Sequence, residues 1–232
     1  MKLKLISLAA ITAVGAVSVA VALAGNRSSS SPQMSGMAHM AGMSMTTASM
    51  TRALTASDLR ALLGQQFGEH AVLAMNATDA GVTGAKDFPT IAKALDANSV
   101  AISKSIGSIY GAKAANTFLN GKNMWRDHIR FFVAYTQALA KHNKAGQAAA
   151  VANLQAYVKT FGTFLATAVG LPRQEVQSDL LGHIFGLKAQ LDDYAAGNYA
   201  KAAQDYTGAY DHMFMTADII AGAIAKQQHL AP

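Results

Sequence analysis

Apolar residues recur along this chain at intervals of three and four, the spacing of one face of a helix. Leu180, Ile184, Leu187 and Leu191 form one such stripe, and Ala209, Met213, Ile220 and Ile224 form another. Lys188, Asp192, Lys201 and Gln204 fall on the opposite sides, where water solvates them. Cap and breaker residues divide the pattern into elements. Thr55 or Ser57 can cap a first helix that runs to about residue 79 and ends at Ala80-Gly81. Pro89 suits the first turn of a second helix, which runs to about residue 109, with Gly111 beyond it. A third spans about residues 112–142, bent near Gly121, and carries residues 125–135 (WRDHIRFFVAY) in its middle. After a turn at residues 143–146 a fourth helix runs to Val169 and stops at Gly170. A fifth opens at Pro172 and ends near Ala196-Gly197, and a sixth spans about residues 199–228. Short loops make successive helices antiparallel. The expectation is an all-α fold, an antiparallel bundle of about six helices over residues 55–229.

A longer period lies over the helical one. His70, His128 and His183 stand 58 and 55 residues apart, each on an apolar stretch. Asn98, Tyr157 and His212 follow them at offsets of 28, 29 and 29. Three copies of this spacing predict three αα-hairpins, each turning a histidine inward from its first helix.

Composition narrows the function. The absence of cysteine removes disulfides, thiolate metal sites and a lipid-modified cysteine. The net charge is +6, and without Lys2 and Lys4 it falls to +4. The basic residues are scattered and not interleaved with aromatics, which disfavours a nucleic-acid partner. Residues 1–24 carry those two lysines, an apolar run and a small-x-small site at Ala22-Leu23-Ala24, the pattern of a secretory signal peptide. Left uncleaved, the same segment would anchor the chain to a membrane. The protein is therefore expected outside the cytoplasm, with a bilayer contact only through that segment.

Residues 25–54 read as a disordered tail. Met34, Met37, Met40, Met43, Met45 and Met50 crowd into it with His39, and no Asp or Glu precedes Asp58. Thioether sulfur and imidazole suit Cu(I), whereas hard cations need oxygen ligands that the tail lacks. Spacings of two and three residues let Met34, Met37, His39, Met40, Met43 and Met45 wrap one ion without a preformed pocket. The segment resembles the Met/His-rich stretches of exported bacterial copper-resistance proteins.

The bundle carries its own candidates. His70, His128, His183 and His212 lie on or beside apolar faces, and three of them follow an acid directly: Glu69, Asp127 and Asp211. Such acids point away from their own histidine on a helix and could orient one on a neighbouring helix. Met124, four before His128, and Met215, three after His212, can reach the same side as their histidines and give S,N pairs, whereas Met75 and Met213 point elsewhere. Core histidines that bond between helices would show the same pattern without a metal. His142 and His229 fall near helix ends, in solvent, and Trp125 and Tyr135 read as core aromatics. Glu69 and Glu175 are the only glutamates, and no Glu-x-x-His pair occurs, so a carboxylate-bridged di-iron site is disfavoured. No Gly-rich phosphate loop or cofactor fingerprint is present.

WRDHIRFFVAY, AYDHMFMTADIIAGAI and the hairpin lengths between them resemble a group of exported bacterial helical proteins labelled copper amine oxidase-like. That resemblance implies a helical fold and an extracytoplasmic home. It does not imply amine oxidation, because the cofactor motif of the true oxidases, Asn-Tyr-Asp/Glu, is matched only by Asn198-Tyr199-Ala200, which lacks the acid. Three functions fit these residues. The first is an exported copper-binding protein that buffers its ion. The second is a copper- or iron-dependent oxidoreductase using the bundle histidines. The third is a metal-free module of the cell envelope.

Overall fold

A computed structural model describes residues 53–232. Seven helices follow one another: α1 (Ala56–Thr83), α2 (Phe88–Tyr110), α3 (Ala112–Asn120), α4 (Trp125–Ala140), α5 (Lys144–Val169), α6 (Arg173–Ala195) and α7 (Tyr199–Gln227). Six are long and α3 is a short insert. Every regular element among the described residues is helical, as the periodicity predicts.

Local chemistry sets most ends. Thr55 and Asp58 form a capping box at α1: Asp58 N–H donates to Thr55 Oγ1 and Thr55 N–H donates to Asp58 Oδ2, both at 3.1 Å. Pro89 lies in the first turn of α2, where no intrahelical N–H is required. Asn143 caps α5 through Gly146 N–H, and Gly170 closes it. The end of α1 departs from expectation. Gly81 stays helical, packed against Thr136 and Phe88, and the stop comes at Gly84, whose φ of 69° only glycine adopts without strain.

The larger correction is the break between α3 and α4. Residues 125–135 begin a helix and do not lie in the middle of one. A side chain on Gly121 would stand 2.7 Å from both the Thr117 carbonyl oxygen and Met124 Cγ, so the chain turns tightly there because nothing projects from it. Asn123 takes a positive φ of 54°, and its N–H donates to Asp127 Oδ2. Asp127 thus serves the start of α4, where a carboxylate complements the helix dipole.

Consecutive long helices pair as α1–α2, α4–α5 and α6–α7, the three hairpins that the spacing predicts. α1 is the central element, packing on α2, α4, α6 and α7. Its Leu59, Leu63, Ala71 and Met75 are wholly buried, and each large side chain so removed from water contributes about 1.5–3 kcal/mol. At the far side of the bundle Tyr135, Ala150 and Leu191 form a smaller cluster, and the Tyr135 hydroxyl donates to Asp192. Ala56 N–H donates to the carbonyl of Ala231, tying the two ends of the bundle together. Among the described residues no helix is long and apolar enough to cross a membrane.

Candidate metal centre

Each hairpin sends one imidazole into the core. His70 continues the α1 stripe of Leu63 and Phe67, His128 lies between Trp125 and Phe132 on α4, and His183 lies between Leu180 and Leu187 on α6. All three occupy positions an aliphatic side chain would normally fill. They are 1%, 3% and 6% exposed.

They converge. His70 Nε2 lies 3.4 Å from His128 Nε2, with ring centroids 5.4 Å apart. Trp125 packs against both rings, at 4.8 Å from His70 and 4.9 Å from His128. Asn98 Nδ2 donates to the Gln66 carbonyl and to Glu69, which holds its amide beside His70. Tyr157 stacks on His128 with centroids 4.9 Å apart. His212 stacks on His183 at 6.2 Å, with the planes inclined by only 10°.

Burial holds all three core imidazoles neutral. The pKa of each falls to about 3. Desolvation is the main cause, and the other histidines deepen the fall: His128 acts on His70, His183 on His128, and His70 and His212 on His183. Asn98 and the Trp125 carbonyl approach closely enough to oppose this weakly at His70 and His128. Yet Nδ1 of all three rings, like Asn98 Oδ1, has no partner in hydrogen-bonding geometry. His70 and His128 bond to each other between α1 and α4, Nε2 to Nε2, when one ring carries its proton there, and it is Nδ1 of each ring that is left over.

Two small cavities adjoin the rings. One of ≈ 30 Å³ is lined by His128, His183, Tyr157, Met213, Asp179 and Thr216 among others. The other, ≈ 20 Å³, is bordered by His70, His128, Thr78 and Leu187. Each has room for a guest the size of a water molecule. Among the described residues no three His, Asp or Glu side chains stand together as a ready-made set for one ion. The close pair is His70 with His128.

The remaining candidates are placed differently from the sequence expectation. His212 is at the shoulder of α7, its side chain 26% exposed. Its Nε2 lies 3.2 Å from the Asp179 carbonyl oxygen and 3.3 Å from Asp179 Oδ1. Met124 is the N-cap of α4 in extended backbone, so the four-residue helical spacing to His128 does not apply, and its side chain folds over Gly121. Met215 is 59% exposed, while Met213 is buried and lines the cavity with His128 and His183. The expected sulfur partner thus changes from Met215 to Met213. None of the three neighbouring acids orients a core histidine: Glu69 is exposed and accepts from Asn98, Asp127 serves the start of α4, and Asp211 is exposed. Asp179, not singled out in the sequence, does so for His212. Tyr199 opens α7 in solvent, and His142 and His229 are exposed at helix ends. Met34, Met37, His39, Met40, Met43 and Met45 lie outside the described residues, as does the leader.

No protein-family model, curated protein or solved structure matches the chain, so the function has to be argued from this geometry.

Proposed function

We propose that the protein is an exported copper-binding protein that holds its ion and does not turn over a substrate. The Met/His tail captures Cu(I), and the bundle binds it between His70 and His128. The observation that carries this is the 3.4 Å approach of two buried, neutral Nε2 atoms. With metal–nitrogen bonds of about 2 Å, that separation corresponds to a ligand–metal–ligand angle of roughly 115°, which leaves room for a third donor. His183 and the Met213 thioether line the adjoining cavity and supply nitrogen and sulfur.

Charge favours the monovalent ion. Among the described residues Asp179 is the one carboxylate that lines the adjoining cavities, and the cost of taking an ion out of water rises with the square of its charge, so Cu(I) fits this largely apolar surround better than a dication. The size of the cavities supports holding over catalysis. Tens of cubic ångströms admit an ion or a water, whereas sites for organic ligands run to about 300–1,000 Å³.

Trp125, the one tryptophan of the chain, touches both rings and so reports on this site. Cu(I) titrated under reducing conditions should change its emission. His128→Ala should abolish that change and lower the metal content while circular dichroism stays helical. Copper bound with no effect on Trp125, and equal metal content in the variant, would sink the core site. Turnover with oxygen or peroxide would make the protein an oxidoreductase instead.

A further inference from the structure

We infer that His212 and Asp179 form the station through which the ion passes between solvent and the buried histidines; this rests on the core site proposed above. Asp179 reaches both environments: its side chain is 33% exposed, yet it also lines the cavity that holds His128, His183 and Met213. Thr216 Oγ1 donates to Asp179 Oδ2 at 2.9 Å, and His212 Nε2 lies on Asp179 Oδ1 at 3.3 Å. Asp179 therefore brings a carboxylate that water reaches to the edge of a cavity lined mostly by hydrocarbon and aromatic side chains. Inward of it His183 lies parallel to His212, so imidazoles line the way from the surface to the core.

The chemistry fits a handover of a soft or borderline cation. Both Asp179 atoms facing His212 Nε2 are acceptors, so that nitrogen carries the proton in the resting state. An incoming ion takes the Nε2 lone pair once the proton sits on Nδ1, a tautomer change that water permits at a partly exposed ring and that releases no net proton. Asp179 Oδ1 supplies the second donor. The ion then moves to His183 and Met213, and the Asp179–His212 contact closes behind it.

Stopped-flow mixing of the full chain with Cu(I) under reducing conditions, followed by Trp125 emission, tests this. His212→Phe keeps a ring against His183 and removes the nitrogens. Asp179→Asn keeps an acceptor for Thr216 and removes the charge. Both should slow the emission change by on the order of tenfold and leave its final amplitude unchanged, whereas His142→Phe, at an exposed histidine on the turn after α4, should load at the parent rate. Parent-rate loading in both variants would overturn the entry station and leave the core site standing. No emission change in the parent protein would overturn the core site, and the station with it. Should His212→Phe not fold, Asp179→Asn alone decides.

Discussion

Tyr157 lies face to face with His128, ring centroids 4.9 Å apart, and it does so from the return helix of the same hairpin. The other two hairpins repeat the relationship with different chemistry. Asn98 on α2 stands beside His70 on α1, and His212 on α7 stacks on His183 on α6. Each unit therefore places a histidine on its first helix and a polar partner on its second. The partner decides what the histidine meets: an amide, a phenol ring, or a second imidazole that reaches toward solvent. The three units are alike in pairing two helices and unlike in the environments they create, which is how a recurring hairpin can build one asymmetric site.

Neutral buried histidines make the metal-free protein sensitive to acid. His70, His128 and His183 have folded pKa values near 3, below the ordinary 6.5. Between those values the unfolded chain binds more protons than the folded one. Stability is thus level above about pH 6.5 and falls as pH drops through the window, with a limiting slope of about 1.4 kcal/mol per pH unit for each histidine. Thermal unfolding of metal-free protein should show a markedly lower Tm at about pH 5 than at about pH 7.5, and His183→Leu should reduce the slope by about a third. The same Tm at both pH values would contradict neutral burial.

Asn98 positions His70. Its amide donates to the Gln66 carbonyl at 3.0 Å and to Glu69 at 2.9 Å, and its remaining oxygen is buried without a partner next to the ring. Asn98→Ala should cost about 1–3 kcal/mol through the lost bonds. It should also weaken Cu(I) binding at the core on the order of tenfold, read as a shift in the Trp125 titration midpoint. Asn98→Asp keeps an oxygen beside the ring and loses the donor, at the added cost of a carboxylate set against Glu69. Lost stability with an unchanged midpoint in both variants would leave Asn98 purely structural.

The helices and the inward histidines were legible because both follow from periodicity, a signal that every turn of the chain repeats. At Gly121 a bend was legible but the full break was not, because it depends on one close contact with Thr117 and on the positive φ of Asn123. That break also removed Met124 from the helical face on which its pairing with His128 was counted. On α7 the apolar stripe placed Met213 inside, as observed, and the same stripe puts His212 about 100° away at the shoulder and Met215 outside. Spacing to the histidine was the weaker guide, and the stripe the stronger. Asp179 carried no sequence signal, because its importance comes from α7 lying across α6.

The turn at Gly121 also sets where α4 begins, and so the height of His128 in the bundle. Its φ of −63° is open to any residue, so a substitution acts by contact alone. Gly121→Ala would force its methyl against the Thr117 carbonyl, a backbone atom that cannot swing aside. A loss of about 1–3 kcal/mol is expected in urea denaturation. If the α4 register shifts, the Trp125 response to Cu(I) should weaken as well. Unchanged stability would mean that the chain passes this point with more room than the structure gives it.

The tail offers the test that depends least on the bundle. Thioethers do not titrate, so Cu(I) capture by Met34, Met37, Met40, Met43 and Met45 should persist in mild acid. His39 differs, since protonation near its reference pKa of about 6.5 removes the lone pair it would donate. Binding should therefore weaken only in part between neutral and mildly acidic pH. A competition titration under reducing conditions compares a peptide of residues 32–50 with a variant in which all six methionines become leucine. Leucine keeps the apolar bulk and deletes the sulfur, so a difference between the two measures the thioethers alone. Equal Cu(I) affinity would show that the methionines are not the ligands. The bundle histidines would then have to account for any copper bound by the intact protein, and the Trp125 titration would show whether they do.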